Sequence, residues 1–240
     1  MTLNAEMNDF SALTASRRST RAFTDREVPA EVLDAILADA TTAPSWSNTR
    51  AFRVALATGA RAQRLREHYG RLFDEEIEAH ARKAEDPTVA IPVPDGDFPV
   101  RKRYPDELRP AQIEVAKLLY GIYGVERGDI EGRNRVNRRN VTAFDAPVMG
   151  FVFVHEEMLP WSAMDAGLML QTLFLSAKSR GIDSCPVGIL ATWREPVEAE
   201  FEIPEGYRFI TGFALGYADP EAPINSMQAP RPSIQLLEGK

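Results

Sequence analysis

The chain has 240 residues, 44% apolar and 26% charged, with 28 Lys and Arg against 35 Asp and Glu for a formal charge of −7. That length buries a core without covalent staples, and the acidic balance excludes a binder that neutralises nucleic-acid phosphates with a net basic surface. One cysteine, Cys185, excludes an intramolecular disulfide.

The longest apolar run, 146–154, falls short of the ~20 residues of a membrane helix. The first thirty residues hold no signal-peptide core. A cytoplasmic protein is expected, without a membrane or nucleic-acid partner. Residues 1–8 read as a flexible tail, and 9–240 as one domain. A short helix with Asp9 or Ser11 as its cap opens that domain. Pro29 suits a first helical position, and Leu33, Ile36, Leu37 and Ala40 give the helix that follows an apolar stripe ending before Pro44. Phe52, Val54 and Leu56 alternate as a strand does. Residues 61–84 form a charged helix with Leu65, Tyr69, Leu72, Phe73 and Ile77 along one face.

Prolines at 87, 92, 94, 99, 105 and 110 then break the periodicity. Helices near 111–123 and 129–140 follow, the second carrying Arg133, Arg135, Arg138 and Arg139, so that 86–140 reads as an excursion or lid on the substrate side. Residues 148–154 form a strand apolar on both faces, as a central strand is. Residues 161–180 are a helix apolar nearly all round, so it is central in one chain or buried between two. Lys178 and Arg180 suit its C-terminal dipole and Gly181 its stop. Cys185-Pro186-Val187-Gly188-Ile189 reads as a turn after that helix. Thr192-Trp193-Arg194-Glu195 has the form of a capping box. Residues 207–217 alternate as a last strand. Helices mixed with few strands predict an α+β domain.

The sequence offers no self-sufficient reaction centre. It has no G-x-G-x-x-G, no phosphate-cradling loop of the G-x-x-x-x-G-K type and no G-x-S-x-G. His68, His80 and His155 stand at spacings that build no metal site. An enzyme of this composition borrows its chemistry from a bound cofactor. The densest polar motif is Ser16-Arg17-Arg18-Ser19-Thr20-Arg21, three guanidiniums and three hydroxyls in six residues. Taken alone it reads as a solvated charge cluster or as a set of forks for phosphate oxygens. Pro44-Ser45-Trp46-Ser47-Asn48 is a second polar turn, and Gly188 in the turn after the long helix leaves the backbone open to close approach.

In their order and spacing these motifs resemble the FMN-dependent nitroreductase family. Arg17-Arg18-Ser19-Thr20-Arg21-Ala22-Phe23 resembles R-R-S-x-R-x-F, and Ala43 to Phe52 resembles A-P-S-x-x-N-x-Q-P-W. Gly181 to Gly188 resembles G-[LV]-D-[ST]-x-P-x-G, and Gly216-Tyr217-Ala218-Asp219-Pro220 with Arg231 resembles the segment after the last core strand. The resemblance implies a mostly antiparallel sheet flanked by helices, an interlocked homodimer, and FMN at the seam between the two copies. It implies that Arg17, Ser19 and Arg231 hold the FMN phosphate, with Arg18 beside the ribityl chain and Arg21 near flavin N1 and the C2 carbonyl. The Gly188 N–H would face N5, with Pro186 and Val187 fixing its turn. Pro44, Ser45, Ser47 and Asn48 would reach the flavin from the partner chain, and Asp165 would approach it across the seam.

The implied reaction is a ping-pong exchange in which NAD(P)H reduces the flavin and an electron-poor nitroaromatic or quinone reoxidises it, with no catalytic side chain required. A reductive dehalogenase on the same fold and a non-catalytic flavin-binding or flavin-sensing dimer are the alternatives. The sequence departs from the pattern at Arg50-Ala51-Phe52, where Gln-Pro-Trp is usual. A single glycine follows Pro186-Val187, and the basic pair near the C-terminus is reduced to Arg231 before Pro232.

Overall fold

A computed structural model describes residues 3–237 and 239. Four antiparallel strands form one sheet in the order β1-β2-β4-β3: β1 is Phe52–Thr58, β2 Val148–His155, β3 Asp183–Val187 and β4 Tyr207–Gly216. Helices α2 (Ala30–Ala40) and α6 (Trp161–Ser179) cover one face, and α3 (Gly59–Glu85) covers the other. The alternation of β2 feeds both layers. Met149, Phe151 and Phe153 join the α3 side, while Val148, Val152 and Val154 join the α6 side. In β4, Phe209 lies on the α3 side but Phe213 and Leu215 lie on the α6 side. A bulge makes this possible: Val152 pairs with Thr211 and Phe153 with Phe209, which leaves Ile210 as the extra residue.

Several expectations need correction. The expected tail is helical from Leu3, as α1 (Leu3–Ser16), while Met1 and Thr2 lie outside the described residues. The segment expected as a turn at 185–189 is largely strand β3, on the edge of the sheet, and only from Gly188 does it coil into a 3-10 turn, Gly188–Thr192. The capping box at Thr192 is not formed. Helix α7 (Glu195–Glu198) is instead capped from a distance by Asp95, whose carboxylate accepts the N–H of Arg194 at 2.7 Å and of Glu195 at 2.8 Å.

Asp95 belongs to a strap, residues 95–101, that crosses the α3 side of the molecule. Gly96 donates its N–H to the Thr192 carbonyl at 3.1 Å, and a Cβ on it would stand 2.1 Å from the Ala191 carbonyl oxygen, so glycine is required. Asp97, nearly buried, accepts from Arg194 and from the Phe209 N–H, the latter at 2.7 Å. Arg101 pairs with Glu76 of α3. The first part of the proline-rich excursion is therefore fixed to the core. Helices α4 (Arg109–Ile122) and α5 (Ile130–Val141) complete it. Arg138 of α5 is engaged by Asp74 of α3 through a two-pronged ion pair at 2.9 Å.

Candidate cofactor-binding site

After α1, residues 17–24 run along the edge formed by β3 and the exit of β4. Ser19 bridges to Ser184, Thr20 donates its N–H to the Ser184 carbonyl at 3.0 Å, and Thr24 donates to the Tyr217 carbonyl at 2.9 Å. The backbone is pinned, so alternate side chains are turned outward. Residues 227–231 pass over the same ground from the other end of the fold. Between them lies a cleft of about 470 Å³ lined by Arg17, Arg18, Ser19, Arg21, Met227 and Arg231.

One asparagine holds the two segments together. The Asn225 side-chain oxygen accepts the N–H groups of Arg21 and Ala22 at 2.9 and 3.2 Å, and its amide donates to the Ala22 and Asp219 carbonyls at 2.8 and 2.9 Å. Arg231 donates to the Arg17 carbonyl at 2.7 Å, Arg18 to the Asn225 carbonyl at 3.1 Å, and Arg21 to the Ser19 carbonyl at 3.2 Å.

The electrostatics of this cleft favour an anion. Burial, and then the charge of Arg231, hold the Arg17 guanidinium below its ordinary range. Among the described residues none of these four arginines has a carboxylate within ion-pair distance, whereas most other arginines of the fold do. A partly desolvated guanidinium beside a second like charge is relieved by a bound negative group. Behind them Cys185 is buried, and burial pushes its thiol up to about 11 against the opposing pull of Arg21, Ser19 and Arg17. It is a protonated packing residue there.

The second polar turn stands elsewhere, at the start of α6. Both carboxylate oxygens of the buried Asp165 accept the Trp46 N–H, at 3.0 and 3.1 Å, and Ser45 Oγ accepts the Arg50 N–H at 3.1 Å. Ser47, Asn48 and Arg50 hold left-handed φ values of 49°, 56° and 48°. That strain marks a loop shaped for a task. The Trp46 ring stacks on Trp161 at 4.5 Å, with both rings partly exposed.

Residues 14–217 match the model of the nitroreductase family. The chain belongs to that family. The 4-nitrobenzoate reductase of Pseudomonas putida is 33% identical over 229 residues, spanning 95% of this chain and 93% of its own. Nitroreductase NfnB of Mycolicibacterium smegmatis is 31% identical over 223 residues, spanning 92% and 88%. Among solved structures, the FMN and NADPH-dependent nitroreductase NfnB from Sphigopyxis sp. strain HMH superposes with a TM-score of 0.80 at 29% identity, covering 96% of this chain and 99% of that one. The FMN-dependent nitroreductase NfnB from Mycobacterium smegmatis, in complex with NADPH, gives 0.79 at 28%, covering 95% of each.

In this nitroreductase-family chain the fold brings Arg17, Arg18, Ser19, Arg21 and Arg231 into one cleft. It sets β3 alongside through the Ser19–Ser184 bridge, with Pro186 and Gly188 exposed at the sheet edge. Val187, beside them, is buried in the α3-side core. Pro44, Ser45, Ser47 and Asn48 do not line the cleft of their own chain. Asp165 is turned inward and shapes the Trp46 loop rather than presenting its carboxylate to a ligand. Arg50, where the pattern has Gln, reaches back to the Thr41 carbonyl at the end of α2. Sequence reasoning missed Asn225, whose only signal is the Pro223-Ile224-Asn225-Ser226 turn. Among the described residues no cluster of three His, Cys, Asp or Glu is placed to hold a metal, and no helix is long and apolar enough to cross a membrane.

Proposed function

We propose that this chain is an FMN-dependent oxidoreductase that draws electrons from NADPH or NADH and passes them to electron-poor acceptors, nitroaromatics and quinones, in a ping-pong exchange. The observation that carries this reading is the half-buried Arg17 beside the exposed Arg231, in a cleft with no carboxylate to neutralise them among the described residues. The residues present fit the cofactor. Arg17, Arg231 and Ser19 suit a terminal phosphate through charge-assisted hydrogen bonds, and Arg18 would stand beside the ribityl chain. Arg21 would place a cation at the pyrimidine end, where it would favour the anionic reduced form. The exposed edge at Gly188 leaves open space for a planar ring, since a Cβ there would meet nothing nearer than Thr211 Oγ1 at 4.0 Å. Bound FMN supplies hydride chemistry at its N5, which explains why no protein nucleophile is needed.

The reading includes a homodimer. Trp161, Met164 and Leu168 form an exposed apolar stripe on α6, continued by Trp46. A second copy covering that stripe carries its own Pro44, Ser45, Ser47 and Asn48 toward this chain's cleft. The relative named for 4-nitrobenzoate reduction makes that compound the first acceptor to try, and the NADPH-bound neighbour makes NADPH the first donor. Purified protein is expected to show a flavin spectrum, to bleach under anaerobic NADPH, and to recover colour on addition of 4-nitrobenzoate or a quinone. A flavin-bound protein that NADPH and NADH leave oxidised supports the non-catalytic alternative. A colourless protein that FMN cannot reconstitute overturns both readings.

A further inference from the structure

Helix α4 touches the cleft from behind. Its Val115, Leu119 and Ile122, with Tyr123 just beyond its last turn, pack on a small apolar cluster of Ala22, Ile224 and Met227. Met227 lines the cleft, and Ala22 follows Arg21 directly. The Tyr123 hydroxyl is buried within this contact and has no hydrogen-bond partner among the described residues. A buried phenol without a partner is a rare and costly state, so a donor brought within its reach would relieve it. The charged groups that act on it are Arg139 of α5 and Arg21. Burial outweighs both and raises the hydroxyl above its ordinary value, so it keeps its proton at neutral pH. Guanidiniums only donate, so the phenol oxygen is the acceptor available to them. Arg21 spends one N–H on the Ser19 carbonyl at a long 3.2 Å, which leaves its other donors to be directed.

We propose that Tyr123 is a positioning residue for the flavin: with FMN bound, its oxygen accepts a hydrogen bond from Arg21 and holds that guanidinium against the pyrimidine end of the ring. Arg21 then meets the negative charge that the flavin gains on reduction in a fixed orientation. The excursion that carries α4 thereby tunes the cofactor. This inference rests on the FMN reading above and on Arg21 standing at the pyrimidine end.

Tyr123→Phe tests it, because the ring stays in the apolar cluster and the lost oxygen breaks no bond of the described fold. Holoprotein saturated with FMN is titrated to its midpoint potential. The variant is expected to lose about tenfold in affinity for reduced over oxidised FMN, a shift of ~30 mV to more negative potential for a two-electron couple. In an Arg21→Ala background the same substitution is expected to leave the potential where Arg21→Ala put it. A merely structural tyrosine would weaken both redox forms of FMN alike and leave the potential unmoved. An unmoved potential in Tyr123→Phe, or an equal shift with Arg21 absent, overturns the proposal. If the unaltered protein binds and reduces FMN normally in those experiments, the FMN reading survives that failure; if the unaltered protein takes up no FMN, that reading itself fails.

Discussion

Arg17 owes its importance to where its charge is held. It is half-buried, next to Arg231 and without a carboxylate among the described residues, so the cleft is tense when empty of anions. Arg17→Ala is expected to weaken FMN binding by about 2 kcal/mol, the scale of one hydrogen bond to a charged group, or roughly 30-fold in Kd. Quenching of FMN fluorescence on binding measures it, and an unchanged Kd removes Arg17 from the phosphate role. Cys185 gives a second residue-level prediction. Its folded pKa is raised from an ordinary 9.0 to about 11, so the unfolded chain gives up its proton first as pH rises. The contribution is intact below pH 9 and is lost between about 9 and 11, amounting to roughly 2 to 3 kcal/mol. Urea unfolding at pH 8 and pH 10.5, for the protein and for Cys185→Ala, isolates it: the variant should lose less stability over that interval. Both residues were visible in the sequence, Arg17 through the density of its motif and Cys185 as the lone thiol. Asn225 was not, because an asparagine four hydrogen bonds deep in a tertiary joint looks like any turn asparagine when only its neighbours in the chain are read.

Elements were legible in proportion to how far their own pattern explains them. Strand β2 is a continuous apolar run because helices cover both its faces. Helix α3 was plain because Leu65, Tyr69, Leu72 and Phe73 repeat at helical spacing. Strand β3 was missed because it is five residues long, contains a proline and has a strand partner on one side only, its other edge meeting just the Ser19 bridge; Pro186 is tolerated there because the strand is at an edge. Helix α7 was anticipated with the wrong cap, since its true cap lies a hundred residues upstream at Asp95. The strap around Asp97 shows the same thing. Nothing local to residues 95–101 announces that Arg194 and Phe209 will converge on them. Asp97→Ala is expected to destabilise the fold by about 2 kcal/mol, because it leaves the Phe209 N–H without its acceptor and takes one carboxylate from the mostly buried Arg194 guanidinium, which keeps Glu198 and the Tyr207 carbonyl. Thermal and urea unfolding check this, and a loss under ~1 kcal/mol would mean that the strap is not held by that carboxylate.

At the scale of the whole molecule, the proposed dimer makes two half-sites of one chain's separate polar features. The cationic cleft and the strained Trp46 loop do not share a pocket, and the apolar stripe of α6 lies open beside the loop. The near-uniform apolarity of 161–180 had two sequence explanations, a central helix or a subunit seam. The structure shows one side of α6 packed on α2 and the sheet, and the other bearing Trp161, Met164 and Leu168 in the open. Leu168→Glu puts a charge on that stripe at little cost to a lone chain, since Leu168 is 41% exposed there. Light scattering is expected to report a monomer for the variant and a dimer for the unaltered protein, with FMN lost alongside the partner. A variant that stays dimeric would place the seam elsewhere.

Asn225 and Arg231 also govern when the cleft comes into being. The Arg231–Arg17 hydrogen bond joins positions 214 apart, and Asn225 reaches Arg21 across 204. Closing so long a loop is entropically expensive and waits on the body of the fold. During synthesis the arginine motif precedes its other wall by some two hundred residues and must stand without it until those residues have been made. On the FMN reading, flavin capture thus waits for both walls of the cleft, and the cofactor ratifies the fold instead of nucleating it.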